Sequence, residues 1–238
     1  MGSDMPPRLR NTALRAAHSA REFLASIDVI DDAKLRDMVF TKFFPAVVST
    51  VCPRPGVSSA NDDYYYNPDL FFDNRPETYY LELIFALAIN SNWRPHVFGD
   101  RHIERCISMI DYISNSYLSP WLVGILRIAP EQLSDPLLKS ITEQQWYDLT
   151  IKAWPFVTGA LGDLYYLEVL LILVEETKKY VHISSKKHEL ELVIKGGDDI
   201  LAAMETQDSE QGERVTVAVK ELMAVVRDVL DSERFSQL

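Results

Sequence analysis

Pro76-Glu77-Thr78-Tyr79-Tyr80-Leu81-Glu82-Leu83-Ile84-Phe85-Ala86-Leu87-Ala88-Ile89 is the stretch on which the fold turns. Pro76 and Glu77 suit the first turn of a helix, where a missing N–H costs nothing and a negative charge faces the positive end of the dipole. The run Leu83 to Ile89 leaves almost no polar face, so a helix here must be buried between other layers. It is too short for a membrane span, and Glu82 too charged.

Outward from it, other segments show apolar residues at helical spacing. Leu9, Leu14, Ala17, Phe23, Leu24 and Ile27 predict a first helix after Pro6-Pro7. Leu35, Met38 and Val39 predict a second, from Asp32 to about Phe44, broken at Pro45. Asp100 suits the cap of a helix carrying Ile103, Cys106, Ile107, Ile110 and Ile113. Further helices are expected over Pro120 to Ile128, Thr142 to about Val157, Asp163 to about Tyr180, Lys187 to Lys195, Asp198 to Met204, and Glu213 to about Phe235. Gly196-Gly197 reads as a helix stop, and Asp198-Asp199 as capping residues of the helix that follows. The expected class is all-α, in one domain over residues 1–238. Its parts are an N-terminal hairpin (1–51), a loop (52–75), repeated helices (76–204) and a C-terminal capping helix (205–238).

Composition agrees. The 238 residues are 47% hydrophobic and 25% charged with only nine glycines, which suits a folded helical chain and not a β-sandwich. A formal charge of −11 disfavours phosphate backbones and anionic membrane surfaces. Only residues 1–54 depart from this, with eight basic and six acidic side chains, including Arg8, Arg10, Arg15 and Arg21. Weak or absent binding to generic DNA or RNA is therefore expected at physiological salt, and a salt-resistant submicromolar complex would contradict it. Two cysteines, no Asn-x-Ser/Thr sequon and no signal-like apolar segment predict a cytoplasmic or nuclear protein.

Tyr79-Tyr80-Leu81-Glu82 returns as Tyr165-Tyr166-Leu167-Glu168, an ungapped offset of 86 that also aligns Leu87 with Leu173, His96 with His182, and His102 with His188. Half of that offset places Ile103, Cys106, Ile107 and Ile110 on Trp146, Leu149, Thr150 and Ala153. On this periodicity residues 76 to 204 resemble an armadillo- or HEAT-like α-solenoid, whose repeats have about 40–47 residues. The resemblance implies a right-handed stack of antiparallel helical hairpins used for scaffolding and for protein or peptide recognition. It carries no site residue with it.

Signatures of chemistry are scarce. The histidine pairs lack His-Glu-x-x-His or paired Cys-x-x-Cys, so neither a metal nor another cofactor is expected. Asp31-Asp32, Asp62-Asp63 and Asp198-Asp199 lack the third acidic residue of the magnesium motifs of terpenoid synthases. There is no Gly-x-Ser-x-Gly elbow and no phosphate-binding Gly-x-x-x-x-Gly-Lys loop. No catalytic residue is assigned.

The least ordinary segment is the turn-rich stretch 52–75, which holds Tyr64, Tyr65, Tyr66, Phe71 and Phe72. Tyrosine combines a large apolar ring with a hydrogen-bonding tip and is common at interfaces, so these five are candidate partner-binding residues. The competing reading has the loop folding back to plug its own groove. A Tyr64→Ser, Tyr66→Ser, Phe72→Ser variant separates them: a contact surface loses its partner with little change in Tm, whereas a plug loses about 1.5–3 kcal/mol per buried side chain. The expected function is a noncatalytic module binding a protein or peptide, or self-associating. The alternative is an all-helical enzyme or small-ligand binder with a pocket closed by the 52–75 loop.

Overall fold

A computed structural model describes residues 76–89, 94, 102–114, 118–128, 137–160, 164–184 and 186–235. Every regular element among them is helical. The expected elements before residue 76, and the aromatic loop, lie outside the described residues. The chain divides into two compact units, Met1–Asp100 and Arg101–Leu238.

In the first unit, α1 spans Pro76–Ile89, as its sequence predicts. Leu81 and every residue from Leu83 to Ala88 are buried, and Glu82 is half-buried. The open carbonyls at its C-terminus are met by Arg94, whose Nε donates to the Ala88 oxygen at 2.8 Å and Nη2 to the Ile89 oxygen at 3.2 Å. A guanidinium there also complements the negative end of the helix dipole.

The second unit begins with α2 (His102–Ser108) and α3 (Ile110–Ile113). One continuous helix was expected across them; the chain instead tightens at Met109, whose N–H donates to the Cys106 oxygen at 3.2 Å. The stripe survives the break, with Ile103, Cys106, Ile110 and Ile113 buried. Next, α4 (Ser119–Ile128) is buried from Ser119 to Leu126. Ser119 fits there because its Oγ donates to the Ile113 oxygen at 2.6 Å, which satisfies a hydroxyl cut off from water.

Helix α5 (Glu143–Thr150) starts with a capping box. Thr142 Oγ1 accepts from the Gln145 N–H, and the Gln145 side chain accepts from the Thr142 N–H. A helix to about Val157 was expected here, but α5 ends at Thr150 and a 3-10 helix follows over Trp154–Ala160. Pro155 gives the reason: it has no N–H to offer Ile151, and its ring would strike that carbonyl in a continued α-helix. Trp154 is nonetheless fully buried.

Helix α6 (Leu164–Tyr180) is the spine of this unit, packing against α4, α5 and the last helix. Trp121 on α4 meets Tyr166 on α6 with ring centroids 5.6 Å apart. The Tyr166 hydroxyl donates to the Val157 oxygen, and burial pushes its pKa well above the ordinary tyrosine value. The phenol therefore stays neutral and pins the 3-10 segment. Trp154 Nε1 donates to Thr177 Oγ1 at 3.1 Å, and that hydroxyl donates in turn to the Leu173 oxygen at 2.7 Å.

A second 3-10 turn, Val181–Ile183, leads into α7 (Lys187–Met204). This single helix corrects the two helices expected on either side of Gly196-Gly197. Leu190, Val193, Gly197, Ile200 and Met204 continue one buried stripe at spacings of three and four, and both glycines are buried within it. A Cβ on Gly196 would lie 2.8 Å from Trp154 Cε3 and 3.1 Å from the Trp154 oxygen. On Gly197 it would lie 2.7 Å from Met223 Sδ. The pair thus permits close approach of α7 to the 3-10 segment on one side and to the last helix on the other, at a cost of about 1 kcal/mol per glycine relative to alanine.

The last helix, α8 (Glu210–Phe235), begins one turn earlier than expected. Ser209 Oγ accepts from the Gly212 N–H at 3.1 Å, which gives the helix an N-cap. Val215, Ala218, Val219, Leu222, Met223 and Val226 form its buried face against α6 and α7.

Candidate functional site

Among the described residues of the second unit two carboxylates, Glu176 and Glu189, are buried, and the sequence reading passed over both. Glu176 is 3% exposed and accepts from Arg127 Nε at 2.8 Å and from the Lys179 ammonium. The arrangement ties α4 to α6. Beside it Tyr180 stacks on Trp146 of α5, centroids 6.3 Å apart and planes 7° from parallel. The Tyr180 phenol is raised above its usual pKa by burial first, then by the negative charges of Glu176 and Glu143, with Arg127 opposing them.

Glu189, in the first turn of α7, is also buried. The Tyr147 hydroxyl lies 3.2 Å from Ser184 Oγ, and Ser184 Oγ donates to Glu189 Oε2 at 3.2 Å. This chain joins α5 to the turn before α7. Lys186 Nζ stands 3.8 Å from Glu189 Oε1, close enough for attraction but beyond a good hydrogen bond.

Burial holds the Glu189 pKa above its ordinary value. A carboxyl raised on folding contributes stability that is present below its unfolded pKa and is lost as pH rises through its folded pKa. Gln keeps an acceptor for Ser184 and carries no charge. The stability of Glu189→Gln relative to the parent should therefore increase as pH rises from the acidic range to neutral. Melting temperatures of both proteins across that range check it; a difference that does not change with pH contradicts the role of burial.

The outer side of α8 carries two of the three large apolar side chains that are exposed among the described residues, the third being Phe156 of the 3-10 segment at 40%. Val217 is 57% exposed and Val225 39% exposed, and Ala224 is exposed with them. Residues 217, 221, 224, 225 and 228 follow the three- and four-residue spacing that aligns side chains along one ridge. Glu221 on that ridge takes the Lys178 ammonium at 2.6 Å, and Arg214 stands 3.7 Å from Glu168. The valines thus lie among charges that also bridge back to α6. Valine is a weaker helix former than alanine or lysine, so helix propensity alone does not account for it at these positions.

Of the five residues assigned to partner binding, Tyr64, Tyr65, Tyr66, Phe71 and Phe72, all lie outside the described residues. His96 does too; His102 opens α2, and His182 and His188 are both exposed. Among the described residues no group of three or more His, Cys, Asp or Glu is placed to hold a metal ion. Asp198 and Asp199 sit mid-helix and exposed, which corrects their reading as caps. Cys106 is buried on the core stripe. No helix among the described residues is long and apolar enough to cross a membrane.

Glu176 was legible in principle: it falls three residues after Leu173 and seven after Val169, in phase with the buried stripe of α6. The neighbouring Glu175, Lys178 and Lys179 disguise it as part of a solvated face. The α8 ridge carried no such signal, because valine at helical spacing reads equally as core.

No family model matches the chain, and neither a characterised protein nor a solved structure matches it.

Proposed function

We propose that the chain is a noncatalytic interaction module that binds a protein or peptide segment on a helical surface. The observation that carries this reading is the exposed Val217, Ala224 and Val225 ridge of α8, mounted on a helix whose opposite face is locked into the core. Apolar side chains among charges, on a rigid support, are what a partner helix or extended segment needs in order to bury surface. The buried acids add support. Glu176 and Glu189 are engaged by Arg127, Lys179 and Ser184 of the same chain, and they join helices together.

The stacked-hairpin solenoid and its 86-residue duplication belong to the same proposal. Both copies of the Tyr-Tyr-Leu-Glu signature fall on helices, Pro76–Ile89 and Leu164–Tyr180. At half the offset, Ile103, Cys106 and Ile110 are buried, as are Trp146, Leu149 and Ala153. The cytoplasm or nucleus is the compartment proposed.

Selection of displayed peptides on the purified full-length chain, followed by calorimetric titration of those recovered, tests the function. Saturable binding of a defined segment is expected. Failure to recover any binding segment, together with turnover of a small-molecule substrate, would favour the enzyme alternative instead.

A further inference from the structure

We draw no further inference here: the strongest candidate, the exposed carboxylates Glu205, Asp208, Glu210 and Glu213 around the turn between α7 and α8, is an acidic cluster beside which nothing among the described residues shows what ligand or partner would cover it.

Discussion

Replacing Gly196 with alanine is expected to destabilise the second unit, although alanine is the better helix former. The substitution regains about 1 kcal/mol of helix propensity. Against that, the new methyl would stand 2.8 Å from the Trp154 ring and 3.1 Å from its carbonyl oxygen. Neither obstacle is the free end of a flexible chain: the indole is fully buried and hydrogen-bonded through Nε1, and the carbonyl is backbone. Overpacking of such a contact costs about 1–3 kcal/mol, sometimes more, so after the regained propensity a net loss of up to about 2 kcal/mol is expected for alanine and a larger one for valine. Gly197→Ala is the internal control. Its methyl meets Met223 Sδ at 2.7 Å and Cγ at 3.0 Å, on a side chain that can change rotamer. Its stability should stay within about 1 kcal/mol of the parent in chemical denaturation. Equal effects at the two positions would contradict the packing described for α7.

Trp154→Ala is expected to be more damaging still. It removes a completely buried indole on which the 3-10 segment, α6 and α7 converge, and the usual cost of such truncation is about 3–5 kcal/mol. Trp154→Phe keeps most of the apolar volume and loses the Nε1 donor to Thr177, at a cost of about 0.5–1.5 kcal/mol for the hydrogen bond, together with whatever space the smaller ring leaves. The two sites should also couple. With the indole gone, alanine at position 196 no longer meets the ring, so the double variant should be more stable than the sum of the single losses implies. Strict additivity would mean that Trp154 and Gly196 do not share one contact.

Apolar periodicity made most of the helices legible, with a different limit at each place where it failed. It located α1, α4 and α6 nearly to the residue, because each carries a broad apolar face bounded by Pro76, by Pro120 at its start, or by Gly159, Gly162 and Asp163 before Leu164. At Gly196-Gly197 a local rule misled. Paired glycines ordinarily end helices, and here the stripe Leu190, Val193, Ile200, Met204 stays in phase across them because facing side chains need the space. At Pro155 the opposite happened: the stripe Trp146, Leu149, Thr150, Ala153 suggested a helix to about Val157, and the proline stopped the α-helix. Phase says which residues face inward, whereas glycine and proline must be read against what packs on them. The Glu189, Ser184 and Tyr147 chain was beyond this method, since it joins residues 37 apart in sequence at Tyr147 and Ser184 and leaves no periodic trace. The α8 ridge became visible only through exposure.

The claim that this surface binds a segment of another molecule meets its most direct test in a Val217→Asp, Val225→Asp variant. Both positions are exposed, so the variant should fold and melt close to the parent. The Kd for a peptide selected on the parent chain should rise at least about tenfold, the equivalent of about 1.4 kcal/mol. An unchanged Kd in a stably folded variant would contradict the assignment of binding to the outer face of α8.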